Sequence, residues 1–421
     1  MLDMKLIREH PELVGAAAIN KNQDCDIDQV LALDERRREI IRGVERLKAE
    51  RNRASARIAV KKKAGENADE VVEATRKLGD EIKSQDQALR EVEVELQKLL
   101  DWIPNIPDSS VPVGRDEAAN VVVRDWGDKP QPDFKVQPHW EIGEKLGILD
   151  LPAAAAVSGS GFYVLRGAGA RLQRALISYM LDLHTADGFQ EIVAPYLVTS
   201  DAMYGTGQLP KLRDDMYHVE SDDLWLIPTA EVSVTNLYRQ RIIAEEELPI
   251  HLVAHSPCFR REAGAAGKDT RGMIRVHQFD KVELVKIVSP ETSYPELESL
   301  LAQCEKVLRG LELHYRVVEL ATGDLSFASA RTCDLELWAA GVGRYLEISS
   351  VSNFEAFQAR RMNLRFRNVE KKLDFPHTLN GSGLALARLV AAILEDYQNA
   401  DGTITVPGVL RQYMGGLERI G

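Results

Sequence analysis

The sequence, 421 residues long, predicts an α+β fold in which an antiparallel sheet is flanked by helices and preceded by a long antiparallel two-helix coiled-coil arm. Three observations carry that expectation. Residues 31–100 are dense in charge, nearly free of Gly and Pro, and repeat their apolar positions on a heptad. A Pro-rich stretch at Trp102–Gly114, WIPNIPDSSVPVG, then marks a change of composition. Beyond it, β-branched runs such as QEIVAPYLV and HLVAHSPCF alternate with helical patterns. The expected division is a domain over 1–110 that carries the arm and a second domain over 111–421.

In the first half of the arm, Ile40, Val44, Leu47, Ala54 and Ile58 recur in steps of four and three, with Arg51 in the remaining slot. In the second half, Leu78, Ile82, Leu89, Val92, Leu96, Leu99 and Ile103 keep that rhythm, interrupted by Gln85. AGENAD, at Ala64–Asp69, is a turn-compatible break, so the halves fold back on each other. Each helix of about 30 residues would reach roughly 45 Å. From Asp34 to Lys63 there are twelve Lys or Arg against five Asp or Glu, whereas the second half is acid-rich. The charges alone leave two readings open: a solvated coiled coil whose opposite charges pair its strands, or a basic helix that contacts phosphates.

In the second domain, Leu172–Phe189 reads as an amphipathic helix ended by Gly188, and Ala385–Gly402 as another. Between Phe259 and Val285 the chain reads FRREAGAAGKDTRGMIRVHQFDKVELV, a hairpin pattern with Arg260, Arg261, Lys268, Arg271 and Arg275 beside Glu262 and Glu283. Arg260 and Glu262 share one face of a strand. An exposed cross-strand ion pair would explain those two, but a concentration of guanidinium groups calls for an anion such as triphosphate. Phe279 could stack on a purine, although a lone Phe in a strand is more often core. Thr229 and Glu231 suit a helix N-cap. Glu347, Ser349 and Ser350 offer oxygen ligands of the kind Mg²⁺ takes beside nucleotide phosphates, or a plain strand end. Asn380, Gly381, Ser382 and Gly383 read as a glycine-rich start to a helix carrying Arg388. No P-loop motif is present.

Composition narrows the remaining classes. A net charge of −12 argues against wholesale coating of nucleic acid, though not against a local basic surface. Cys25, Cys258, Cys304 and Cys333 are widely spaced and the nine histidines are scattered, so no zinc site is expected. No run of about 18 apolar residues suggests a membrane span. The MLDMKLIREHPEL start lacks a secretory pattern, and a cytoplasmic protein is expected.

Taken together, these motifs resemble the seryl-tRNA synthetases of bacterial type, which are class II aminoacyl-tRNA synthetases, over essentially the whole chain. The Phe259–Val285 run looks like their second motif, GSGLALARLVAAILEDYQ like the third, and GFQEIVAPYLV, with Pro195, like the first, which belongs to the dimer interface. TAE at Thr229–Glu231, EISS at Glu347–Ser350 and QARRMNLRFR are further signatures, and the arm matches the one that grips the long variable arm of the tRNA. The resemblance implies a homodimer that joins L-serine to tRNA(Ser) with ATP, tRNA(Sec) being a second candidate substrate.

Residue by residue, it implies that Arg260 holds the α-phosphate, with Arg261 beside it. Glu262 would meet the adenine amino group, Phe279 stack on the ring, and Arg388, helped by Arg275, clamp the terminal phosphates. Glu347, Ile348, Ser349 and Ser350 would lie on the ATP side, with Glu347 and Ser350 ligating Mg²⁺. Thr229, Ala230, Glu231 and Glu283 would surround serine, with Asn380 and Ser382 completing its pocket. Arg260, Arg388 and Glu283 would carry the catalysis, and Arg36, Arg42, Arg46 and Arg53 the tRNA contact. Arg261 departs from the small residue common at its position, and Cys333 from a common aromatic. Two rivals are an adenylate-forming paralogue that loads a small amino acid onto a carrier protein, and an inactive regulatory paralogue. The long arm speaks against the first, and the presence of Arg260, Glu283 and Arg388 against the second.

Overall fold

The computed structural model describes residues 1–264 and 271–421, so Lys268 lies outside the described residues. Contacts divide the chain into two compact units, one of Leu2–Ile19 and Gln23–Pro104, the other of Met1, Asn20–Asn22 and Asn105–Gly421. The break precedes Asn105 because its side-chain amide donates to the carbonyls of Ala328 and Phe354, both 2.9 Å away, which ties it to the second unit.

The first unit begins with two short helices, α1 (Met4–Glu9) and α2 (Pro11–Asn20), which the sequence pattern did not announce. The arm follows as α3 (Ile27–Lys63) and α4 (Asp69–Leu100). Asp26 caps α3, its carboxylate accepting from the Gln29 N–H at 2.9 Å. With 37 residues, α3 is longer than expected and reaches about 55 Å. Val30, Leu33, Val44 and Leu47 of α3 are buried, as are Ile82, Val92, Leu96 and Leu100 of α4. Nearer the turn, Ala54, Ile58 and Leu78 are only half-covered. The seam is therefore closed at its base and open towards its tip. Arg37–Glu93, at 3.1 Å, and Lys48–Asp86, at 3.6 Å, bridge the helices.

The second unit is built on an eight-stranded sheet. Its strands are β1 (Val121–Trp126), β2 (Gln190–Glu191), β3 (Ile250–Phe259), β4 (Gln278–Val288), β5 (Tyr315–Glu319), β6 (Arg331–Ala339), β7 (Arg344–Asn353) and β8 (His377–Ala385). Their spatial order is β1-β5-β6-β7-β8-β4-β3-β2, antiparallel throughout except for the parallel β2/β3 edge. One face of the sheet is covered by helices α6 (Ala168–Ala186), α8 (Ser293–Gly310) and α10 (Leu386–Asp396). Leu172, Leu176 and Met180 of α6, Leu300 and Leu308 of α8, and Leu389 and Ile393 of α10 pack there on Val282, Leu284, Leu335 and Leu337 of the strands. Alternation along β4 then decides the site. With Val282 and Leu284 facing the helices, Phe279, Lys281 and Glu283 face the other way.

Three expected features changed. Arg260 and Glu262 lie beyond the end of β3 at Phe259, with Glu262 at φ 52°, and so do not share a strand face. The helix at the C-terminal end of the chain is shorter than the Ala385–Gly402 pattern, ending at Asp396. Asn380–Gly383 belong to strand β8 rather than to a helix start, since their backbone pairs with β4, Ser382 opposite Glu283. Gly383 is the extra residue of a bulge there, with His184 and Val282 atoms 3.2 Å from where a Cβ would sit.

Candidate active site

The face of the sheet opposite the helices borders a cleft of about 540 Å³. Its axis follows β4. Phe279, Lys281 and Glu283 step along that strand, so about 13 Å separates the first from the last. Near Phe279 the walls are arginine-rich. The Arg260 guanidinium lies 5.2 Å from the Phe279 ring centre and donates to the Pro228 carbonyl at 3.4 Å. The Arg260 backbone N–H donates to the His277 carbonyl at 2.9 Å, which sets the exit of the hairpin. Glu262, held at φ 52°, pairs with Arg275. Arg388, at the start of α10, donates through Nε to the Ile274 carbonyl at 3.0 Å and through Nη1 to the Glu347 carbonyl at 2.5 Å.

The far end of the cleft is carboxylate-rich and buried. Thr229 caps the six-residue α7 (Ala230–Thr235), accepting from the Glu231 N–H at 3.3 Å, so the N-cap reading holds. The same hydroxyl donates to Glu283 Oε2 at 2.9 Å and accepts from Lys281 Nζ at 2.9 Å, while Lys281 and Glu283 form a buried ion pair. Glu283 Oε1 is buried and has no partner among the described residues. Glu231 accepts from Gln358 Nε2 at 2.6 Å. Burial, with the Glu283 charge adding to it, pushes the Glu231 carboxyl up to about 7.

The third wall comes from β7. Residues three apart on a regular strand face opposite sides, yet Glu347 and Ser350 both border the cleft. A bulge accounts for it: Ser349 stands opposite Leu335 and Glu347 opposite Glu336, which leaves Ile348 as the extra residue. Asp334 lies opposite Ser350. Its Oδ1 is buried with no partner among the described residues, and burial together with the neighbouring Glu347 charge holds its carboxyl well above the usual range.

Comparison with known proteins bears on this arrangement. Residues 217–397 match the tRNA synthetase class II core domain of the G, H, P, S and T enzymes, and residues 1–107 the seryl-tRNA synthetase N-terminal domain. A serine–tRNA ligase from Thermomicrobium roseum is 55% identical over 100% of this chain and 95% of its own length. One from Caldicellulosiruptor saccharolyticus is 56% identical over 99% of both. The chain belongs to the seryl-tRNA synthetase family. Among solved structures, the seryl-tRNA synthetase of Pyrococcus horikoshii complexed with ATP superposes with a TM-score of 0.93 at 37% identity, covering 100% of this chain and 99% of that one. The antiparallel sheet with flanking helices is thus the class II synthetase fold.

Of the residues singled out in the sequence for this seryl-tRNA synthetase core, Thr229, Glu231, Arg260, Glu262, Arg275, Phe279, Glu347, Ile348, Ser350, Asn380, Ser382 and Arg388 border one cleft. Four do not. Ala230 is buried among Val234, Leu252 and Ala254. Arg261 is exposed, and its backbone N–H donates to the Asp215 carbonyl at 2.8 Å. Ser349 alternates away from the cleft, its hydroxyl donating to the Ser382 carbonyl at 2.6 Å. Glu283 lies beneath the floor and reaches it through Thr229. Lys281, Gln358 and Asp334 were not assigned roles from sequence. For Lys281 the signal was present, since it sits between Phe279 and Glu283 on the alternating face. Gln358 reaches Glu231 from a separate helix, α9 (Phe357–Met362), and Asp334 is placed by cross-strand register.

In the other unit, Arg36, Arg42, Arg46 and Arg53 are exposed on α3, and among the described residues none of the four forms an ion pair. No helix of the described residues is long and apolar enough to cross a membrane.

Proposed function

We propose that this cleft activates L-serine with ATP and that the arm then presents tRNA(Ser) for transfer of the seryl group. The observation that carries the reading is the polarity of the cleft, with the Arg260 guanidinium beside the Phe279 ring at one end and buried carboxylates about 13 Å along β4 at the other. That span suits an adenylate lying along β4. Phe279 and Glu262 take the adenine, and Arg260 takes the α-phosphate. Arg388 and Arg275 take the terminal phosphates. Glu231 and Thr229 receive the ammonium of serine, while Asn380 and Ser382 receive its hydroxyl, and Glu283 acts from beneath the floor through Thr229.

The serine carboxylate attacks the α-phosphorus in line and pyrophosphate leaves. The ribose 3′-hydroxyl of the tRNA then attacks the seryl carbonyl and AMP leaves. Neither step needs a protein nucleophile, so the protein contributes position and stabilisation of phosphate charge by Arg260 and Arg388. A site that hydrogen-bonds a hydroxyl rejects alanine by about 10⁴ to 10⁵, whereas threonine must be refused for want of room.

The β7 wall fits a divalent cation arriving with ATP. Glu347 and Ser350 share a face through the bulge, and Asp334, opposite Ser350, has an Oδ1 with no partner among the described residues. These oxygens would hold Mg²⁺, which supplies neutralisation of phosphate charge when bound.

Exposed Val193, Tyr196 and Leu197, following edge strand β2, support a homodimer through this region. Residues 1–110 would serve tRNA binding and 111–421 catalysis, in the cytoplasm, with tRNA(Sec) a second substrate to test. Exchange of pyrophosphate into ATP across the twenty amino acids tests the core of the proposal. Serine alone should drive it, and exchange driven equally by another amino acid would reject the assignment.

A further inference from the structure

We infer that His139 and Glu395 form a buried relay that positions the Met273–Arg275 wall of the cleft, which makes His139 a positioning residue for ATP. The inference rests on the nucleotide reading given above. His139 opens α5 (His139–Lys145), and Glu395 stands in the last turn of α10. Both side chains are fully buried, and neither borders the cleft.

Glu395 ties its own helix to two other segments. Its Oε1 accepts from the His139 backbone N–H at 2.9 Å and lies 2.8 Å from His139 Nδ1. Its Oε2 accepts from the backbone N–H groups of Gly341 and Val342, at 2.9 and 3.2 Å, in the turn between β6 and β7. On the far side of the imidazole, the Met273 N–H donates to Nε2 at 2.9 Å. Nε2 must therefore offer its lone pair, so the ring proton sits on Nδ1 and is donated to Glu395. One tautomer satisfies every partner.

The grip on the wall is two-handed. Arg388 takes the Ile274 carbonyl at 3.0 Å, next to the Met273 N–H that His139 takes. Arg388 and Glu395 are seven residues apart on α10, close to two full turns, and so lie on one side of that helix. Arg275, the next residue, borders the cleft. Gly272 permits the approach: it sits at φ 64°, and a Cβ there would lie 2.1 Å from His139 Nε2. A loss of the acceptor leaves a buried N–H unpaired and frees the strip that carries Arg275.

The test uses the full-length chain in serine-dependent pyrophosphate exchange, with ATP and serine varied separately. His139→Phe keeps the bulk of the side chain but removes the acceptor. Its KM for ATP should rise on the order of tenfold, with the KM for serine moving less than about twofold. His139→Gln can offer a carbonyl oxygen near the Nε2 position and should recover most of the ATP affinity. Equal rises in both KM values, or a Gln variant no better than Phe, would overturn the relay. Should the Phe variant not fold, Gly272→Ala decides the matter. It drives a methyl group against His139 Nε2, the atom that accepts from the Met273 N–H, so the contact breaks, the KM for ATP must rise, and an unchanged value overturns the inference. If the unmodified chain lacks serine-dependent exchange, the functional reading fails instead.

Discussion

The arm and the cleft are made from the same charged residues, yet use them in opposite ways. On α3 the arginines stand in water, and the cross-helix pairs Arg37–Glu93 and Lys48–Asp86 are partly exposed, each contributing about 0 to 1 kcal/mol. In the cleft, Lys281, Glu283 and Glu231 are buried, and each charge depends on a particular neighbour. Arm charges therefore act as a sum, individually replaceable, whereas cleft charges act one by one. Replacing residues 33–96 by a short turn is the strongest way to break that separation. Transfer of serine to tRNA should fall by about 10³ or more, because the phosphate contacts go together, while pyrophosphate exchange stays within about twofold. Parallel loss of both activities would mean that the cleft does not work alone.

A single cleft charge should matter more than any single arm charge. Glu283→Ala removes the partner of buried Lys281 and should cost about 3 to 5 kcal/mol of stability, read from the denaturation midpoint. Glu283→Gln keeps the shape and one acceptor. Its serine-dependent exchange should drop about 10²-fold in kcat/KM with a smaller loss of stability, since a hydrogen bond to a charged group is worth about 1.5 to 3 kcal/mol. Exchange that survives at low serine concentration would remove Glu283 from the serine site.

Neutralising Arg36, Arg42, Arg46 and Arg53 together sharpens the other side. Each phosphate contact adds roughly 0.7 to 0.9 to the slope of log affinity against log salt, so the slope for tRNA should flatten by about three. Each arginine changed alone should flatten it by less than one. A slope unmoved by the fourfold change would assign these residues to solvation of the coiled coil, the reading the sequence left open.

What the sequence made legible follows the same division. Heptad spacing exposed the arm, since a two-helix seam needs only local periodicity, although its open tip around Ala54, Ile58 and Leu78 is a matter of how much apolar surface the partner supplies. The motif residues of the cleft were legible because strand alternation puts Phe279 and Glu283 on one face. Residues that depend on cross-strand register were not. The bulge at Ile348 that turns Glu347 and Ser350 to the same side, the strand pairing that claims Asn380–Gly383, and the arrival of Gln358 at Glu231 are all set by partners far away in the chain. Nor could periodicity separate Ala230 and Ser349, which face away from the cleft, from the neighbours that line it.

The smallest effect, and the finest test of the comparison, concerns pH. Burial and the Glu283 charge raise the Glu231 carboxyl to about 7, from about 4.5. Between those values the folded chain holds a proton that the unfolded chain releases, so this group's contribution to stability is present at low pH and declines as pH rises towards 7. Serine binding should run the other way. An ionised Glu231 attracts the ammonium and a protonated one does not, so the KM for serine should rise by up to about tenfold for each pH unit below 7. Glu231→Gln should bind serine weakly with little pH dependence in the same range. Because the group is buried, added salt should barely move the wild-type midpoint, whereas the arm's affinity for tRNA should change steeply with salt. A serine KM that is flat between pH 5.5 and 7, measured by pyrophosphate exchange at saturating ATP, would take Glu231 off the ammonium and leave it as a structural partner of Gln358.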